Sequence, residues 1–107
     1  MANIHVSSCC GASHVTRADG ARLREAILAH WHDPAPVVID FSGLRIASAS
    51  FFDESIGLLA QVHPLEELTR RVQVVGIEPG DRALLNQIVV SRSRERQTPA
   101  GTETTTR

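Results

Sequence analysis

Two serines and two acidic residues fall within seven positions of the chain: Ser48, Ser50, Asp53 and Glu54. A serine three residues ahead of an acidic residue is typical of a helix N-terminus, where the first N–H groups lack partners and the helix dipole is positive. The spacing predicts that a helix starts at Ser50, with Asp53 completing a capping box. Such a terminus can bind an anionic group or carry a phosphate on serine. This segment is therefore the candidate site.

The same four residues also have a purely structural interpretation. A serine cap typically contributes about 1 kcal/mol, and acidic residues in the first turn complement the dipole. A phosphate on Ser48 or Ser50 would be opposed by the two carboxylates, which would prevent modification or expel an acidic partner. Neighbouring carboxylates on a helix diverge in direction, so Asp53 and Glu54 do not form an acid–base dyad. Both interpretations stay open.

Other residue types able to do chemistry are an arginine and two cysteines. Arg17 stands just before a predicted helix, where its guanidinium can contact a phosphate or an acidic partner. Cys9 and Cys10 are adjacent, so they cannot join distant parts of the fold and are predicted to be reduced thiols. A cysteine nucleophile beside His14 is a further alternative, but no third orienting group is evident. Without a CxxC or HExxH spacing, the sequence predicts no metal site, no cofactor and no catalytic residue.

Three helices are predicted from apolar residues spaced three or four positions apart. The first starts at the N-cap candidate Asp19, the second at Ser50 and the third after residues 78–81. A short helical turn is predicted over residues 65–71. The inner faces of the three helices are formed by Leu23, Ile27, Trp31, Phe52, Ile56, Leu59, Leu84, Leu85 and Ile88.

The strands follow from short apolar runs. Residues 37–41 are apolar up to Asp40, which predicts a central strand buried on both faces. Asp40 is expected to turn the chain by accepting backbone N–H groups. Residues 72–77 predict a further strand, and residues 3–7 with 13–16 an opening hairpin. The order ββαβαβα predicts a single small α/β domain with helices packed on a mixed sheet.

The charge is divided unevenly along the 107 residues, which carry 11 basic and 12 acidic side chains. Residues 1–90 hold seven arginines against ten acidic residues, and residues 91–107 hold four against two. The first segment is predicted to be one folded domain, and the second, rich in Ser, Thr and Arg, a disordered basic tail. One domain of this size excludes a large interior substrate cavity. A formal charge of -1 gives no field that attracts nucleic acid.

The chain also lacks the apolar segments that address proteins to membranes. No run approaches the roughly 20 apolar residues of a membrane span, and no secretory signal is recognisable. The sequence therefore predicts a cytoplasmic protein that does not enter the membrane.

Residues 37–59 carry an ordered pattern that is more specific than any single motif. An apolar strand leads into Asp-Phe-Ser-Gly at residues 40–43, then Ser-Ala-Ser-Phe-Phe-Asp-Glu at 48–54 and Gly-Leu-Leu at 57–59. This pattern resembles the STAS-like domain of unknown function, a bacterial and archaeal relative of the STAS domains of anti-anti-sigma factors and sulfate transporters. The resemblance extends over most of residues 4–90.

The resemblance implies a non-enzymatic regulatory module of bacterial signalling that partners a histidine-kinase-like ATP-binding protein. In well-studied STAS domains such a partner phosphorylates the first serine of an Asp-Ser-Ser-Gly motif. Residues 48–51 of this chain, Ser-Ala-Ser-Phe, take the place of that motif, and Ala49 takes the place of the phosphorylated serine. The surface implied for partner binding and possible phosphorylation consists of Ser48, Ser50, Asp53 and Glu54.

An alternative function follows from the residues themselves. A helix N-terminus near Ser50, assisted by Arg17, predicts a small nucleotide- or anion-binding domain. The two functions differ in the class of ligand, a protein or a small anion. The oligomeric state is left open by the sequence.

Overall fold

The computed structural model describes residues 2–9 and 16–97, which form a three-stranded sheet and a layer of helices. The strands lie in the order β1, β2, β3, and both neighbouring pairs are parallel. Their bounds are Asn3–His5, Val37–Asp40 and Val72–Val75. Parallel neighbours require long crossover connections, and helices supply them here.

The helices of the described residues alternate with the strands and are numbered in chain order. They are α1 (Val6–Cys9), α2 (Arg17–Ala29), α3 (Ala49–Phe52), α4 (Leu58–Val62), α5 (Leu65–Arg71) and α6 (Pro79–Gln97). A π-helical segment, Asp53–Gly57, joins α3 to α4 without a break, so these three pieces form one rod, here called the central helix. Helices α2 and α6 both pack against it. No helix in the described part of the chain is long and apolar enough to cross a membrane.

The core lies between the sheet and this helical layer. Val37 and Ile39 of β2 are buried, whereas Val38 between them is only half-buried. On β3, Gln73 and Val75 are exposed. The prediction of a strand buried on both faces is therefore wrong, since within residues 2–9 and 16–97 the helices cover one face. The core residues are Val6, Leu23, Ile27, Trp31, Val37, Ile39, Phe41, Ile46, Phe51, Phe52, Ile56, Leu59, Ala60, Leu68, Val72 and Leu85.

The N-terminal region departs from the predicted hairpin. Strand β1 ends at His5, and the chain continues as the helical turn α1. Of the predicted second strand, residues 13–15 lie outside the described residues, and Thr16 is the N-cap of α2. The described strands are all parallel, so a mixed sheet is not what they form.

Helix α2 begins three residues earlier than predicted. The Thr16 hydroxyl oxygen accepts the backbone N–H of Asp19 at 3.1 Å, and the hydroxyl donates to Asp19 Oδ2 at 2.9 Å. Asp19 is thus the third residue of the helix, where it bonds reciprocally with the N-cap residue Thr16, and it is not the N-cap itself. The predicted inner face is confirmed, because Leu23 and Ile27 of α2 are buried, as is Trp31 in the turn that follows the helix.

Helix α6 continues to Gln97, past the domain boundary predicted at residue 90. The prediction of a tail starting at residue 91 is corrected for residues 91–97. Arg92 lies seven residues after Leu85, so it continues the inner face of the helix, and Ser93 is buried. Arg92 is held there by Asp53, a contact that a count of apolar residues does not detect. Residues 98–107 lie outside the described residues.

The prediction for Asp40 is confirmed. The backbone N–H of Ser42 donates to Asp40 Oδ1 at 2.8 Å and so turns the chain after β2. Hydrogen bonds from the side chain and backbone of Ser42 hold the pKa of Asp40 below its usual value. Residue 76 must be glycine, because its φ is +67° and a Cβ there would lie 2.2 Å from the Ser42 hydroxyl.

Candidate functional site

The central helix is capped by Ser48, two residues earlier than predicted. Ser48 has an extended backbone, and its hydroxyl oxygen accepts the N–H of Phe51 at 3.2 Å. Ser50 is therefore not the cap. It lies half-buried within the first turn, one turn ahead of Asp53 and Glu54 on the same side of the helix. The prediction placed the helix start in the right segment and chose the wrong serine.

The loop ahead of Ser48 is held by a carboxylate from α6. Asp81 is only 4% exposed, and it accepts the backbone N–H of Ile46 at 2.6 Å and that of Ala47 at 2.8 Å. Ala47 has a φ of +51°, in the left-handed region that non-glycine residues seldom occupy. Two hydrogen bonds to one buried carboxylate keep this strained residue in place. The start of the central helix is thus fixed from the α6 side.

The π segment places Asp53 and Glu54 between two neighbouring helices. Such segments are rare and recur at functional sites. Within this one, the fully buried Ser55 hydroxyl donates to the backbone oxygen of Phe51 at 2.7 Å. Ser55 is a structural residue that sequence analysis did not single out.

Two glycines, Gly20 and Gly57, allow α2 and α6 to lie so close to the central helix that charged side chains can pair between the helices. A Cβ on Gly20 of α2 would lie 2.7 Å from the backbone oxygen of Phe51. A Cβ on Gly57 would lie 2.9 Å from Ile88 of α6. Both distances are shorter than a van der Waals contact, so the two neighbours of the central helix approach it where there is no side chain.

Asp53 is held by α6. Arg92 donates from Nε to Asp53 Oδ1 and from Nη2 to Oδ2, both at 2.7 Å, in a bidentate pair. Arg17 Nη1 adds a longer contact of 3.5 Å to Oδ2. The Arg92 hydrogen bonds hold the pKa of Asp53 below its usual value and raise that of Arg92. Arg92 in turn donates to Gln61 at 3.1 Å and to Glu95 at 3.2 Å, so its guanidinium has partners on two helices.

Glu54 is held by α2. Arg24 donates to Glu54 Oε2 at 3.1 Å and to the Glu54 backbone oxygen, and Arg17 donates to Oε1 at 3.2 Å. The hydrogen bond from Arg24 keeps the pKa of Glu54 below its usual value. Arg17, Gly20 and Arg24 share one face of α2, since they are separated by three and four positions. Glu54 therefore lies between two arginines of one helix.

The structure brings together Arg17, Asp53 and Glu54 among the residues singled out from the sequence. Arg24 and Arg92 were not singled out from the sequence: Arg24 is not among the predicted inner-face residues of its helix, and Arg92 falls in the predicted tail. The spacing Arg-x-x-Gly-x-x-x-Arg over residues 17–24 is the sequence signal that could have placed Arg24 on the same helix face as Arg17. The two carboxylates are neutralised by arginines, so they do not form the repelling acidic surface considered above.

The other residues able to do chemistry are the two adjacent cysteines and His14. Cys10, His14 and the side chain of Cys9 lie outside the described residues. Within residues 2–9 and 16–97, no three metal-binding side chains of the His, Cys, Asp or Glu type come together.

The family model of the STAS-like domain of unknown function matches residues 19–82, which is more than half of the chain. The chain belongs to this family. Neither the comparison with curated proteins nor that with solved structures gives a match. The matched region of this STAS-like domain includes Ser48, Asp53 and Glu54, whereas Arg17 and Arg92 lie outside it.

Proposed function

We propose that this STAS-like domain is a cytoplasmic regulatory module that binds a protein and catalyses no reaction of its own. The partner we propose is a histidine-kinase-like ATP-binding protein, as the resemblance to anti-anti-sigma factors implies. Membership of the STAS-like family supports the regulatory class. The partner and the signalling process are our proposal.

One observation carries the choice of surface: the start of the central helix is exposed, and its backbone is held from both sides. Ala47 and Ala49 are exposed. The buried Asp81 holds the loop ahead of the helix. Arg92 and Arg24 hold the first turns of the central helix. A surface that is already ordered loses little conformational entropy on binding, which favours a protein partner. Its small side chains also leave the backbone open to close contact.

Among the serines, Ser50 is the residue we propose for modification. The Ser48 hydroxyl accepts the Phe51 N–H, so a phosphate there would disturb the helix cap. Ser50 has no capping role, and the carboxylates one turn away are already paired with arginines. The repulsion that a phosphate on Ser50 would meet is thereby reduced.

The test is purification of the tagged chain from its native host after chemical crosslinking, followed by mass spectrometry. Three forms are compared: the unchanged chain, Ala49→Trp at the proposed surface, and Ala29→Trp at the opposite end of the helical layer. Both alanines are exposed, so neither change disturbs the core. We expect an ATP-binding protein with the unchanged chain and with Ala29→Trp, but not with Ala49→Trp. Recovery of no ATP-binding protein, or equal recovery by all three forms, would refute the proposal.

A further inference from the structure

Two arginines near the start of the central helix, Arg17 and Arg45, are much more exposed than the carboxylates they pair with. Arg17 is 61% exposed, whereas its partners Asp53 and Glu54 are 19% and 24% exposed. Arg45, three residues ahead of Ser48, is 80% exposed against 37% for its partner Glu78. A protein that approaches the start of this helix therefore meets guanidinium groups before it meets carboxylates.

Arg17 is not needed to neutralise the carboxylates it touches. Asp53 has a bidentate pair with Arg92 at 2.7 Å, and Glu54 has Arg24 at 3.1 Å together with a bond to its backbone oxygen. Both of these arginines are about three-quarters buried, so they hold the carboxylates from the inner side. The pKa values of the two carboxylates are lowered chiefly by these inner arginines.

The donors of Arg17 are mostly unused. A guanidinium has five N–H donors in a planar fork, and within the described residues Arg17 donates only from Nη1, at 3.2 and 3.5 Å. An incoming carboxylate can take the remaining donors without leaving Asp53 or Glu54 unpaired. An incoming cation would meet Arg17 first and would have to displace it from Glu54 Oε1, or displace the largely buried Arg92 from Asp53.

We propose that the partner presents an acidic surface, with Asp or Glu carboxylates that bind Arg17 and Arg45 on the two sides of the central helix start. Arg17 approaches this start from α2, and Arg45 from the α6 side, where it pairs with Glu78. The charges around Asp53 balance, because three arginines pair with three carboxylates: Arg17, Arg24 and Arg92 with Asp53, Glu54 and Glu95. Recognition of the partner therefore depends on short-range hydrogen bonds rather than on a net electrostatic field. This inference rests on the proposed function and names the chemistry of the partner.

The test uses a library of random 12-residue peptides displayed on phage and selected on the full chain. Peptides that Ala49→Trp no longer binds are sequenced, and one of them is labelled with a fluorophore to measure its affinity. We expect enrichment of Asp and Glu over the starting library. Arg17→Gln should weaken binding about fivefold, the scale of one exposed arginine–carboxylate pair. Arg70→Gln, which removes an exposed arginine on α5, should leave binding unchanged.

The outcomes separate this inference from the proposed function. Peptides excluded by Ala49→Trp but not enriched in acidic residues would overturn the acidic partner and leave the binding surface intact. Equal affinity of Arg17→Gln and the unchanged chain would also overturn it, as would displacement of the peptide by inorganic phosphate at an equal concentration. A selection in which Ala49→Trp excludes no peptide would count against the proposed function itself.

Discussion

Removal of the Arg92 side chain tests whether residues 91–97 belong to the fold. Arg92→Ala breaks a bidentate pair in which Arg92 is 25% and Asp53 19% exposed. Exposed pairs contribute up to about 1 kcal/mol, whereas breaking a fully buried one costs about 3 to 5 kcal/mol. The intermediate burial here gives a loss of about 2 kcal/mol in the free energy of unfolding. For a domain of this size that loss corresponds to a fall in Tm of roughly 10 °C.

The assay is thermal unfolding followed by circular dichroism, with a double-mutant cycle. The single changes Arg92→Ala and Asp53→Ala are compared with the double change, and we expect a coupling energy of about 1 to 2 kcal/mol. Arg70→Ala is the control, because that arginine is exposed and should shift stability by no more than about 0.5 kcal/mol. A coupling energy near zero, or equal Tm values for Arg92→Ala and the unchanged chain, would refute the role given to α6.

Three further predictions follow from the same contacts. The difference in stability between the unchanged chain and Arg92→Ala should have its full size above the pKa of an unfolded Asp, about 3.9. It should shrink as the pH falls through the lowered pKa of Asp53 in the folded chain. Tm values measured between pH 7 and 3 check this. Gly20→Ala should lower Tm although alanine favours helices, because its Cβ would meet the backbone oxygen of Phe51. An unchanged Tm would contradict the close packing. Ala47→Gly should raise Tm by a few degrees, since glycine adopts the left-handed backbone without strain, and a lower Tm would show that the strain is not there.

Hydrophobic periodicity was sufficient to predict the α/β class and the buried faces of the helices, but not the sheet topology. The buried faces that include Leu23, Ile27 and Phe52 were read correctly because burial of apolar side chains decides where a helix packs. The α/β class followed from alternating strands and helices. The family was recognised from the pattern of residues 37–59, and the family model matches that region.

Boundaries and polar contacts were predicted less well, for a physical reason. Serine and threonine can cap a helix from several neighbouring positions, and tertiary contacts decide between them. At the central helix, Asp81 holds the loop so that Ser48 rather than Ser50 is the cap. The choice depends on a residue more than 30 positions away, which local spacing does not report.

The contacts of the candidate residues could not be predicted in full. Asp53, Glu54 and Arg17 do lie together, but the buried arginines that hold the two carboxylates were missed. Arg92 was missed because a polar composition predicts a tail, although its guanidinium is satisfied by Asp53, Gln61 and Glu95. A charged residue on the inner face of a helix belongs to the fold when a partner of opposite charge lies opposite it.

The central claim, that a protein partner contacts the start of the central helix, is tested most directly by site-specific photo-crosslinking. A photoreactive phenylalanine analogue is placed at position 49 in one form of the chain and at position 29 in another, and both are irradiated in the native host. We predict one dominant crosslinked protein, an ATP-binding protein, from position 49 and none from position 29. The same crosslinked product from both positions, or none from position 49, would contradict the claim.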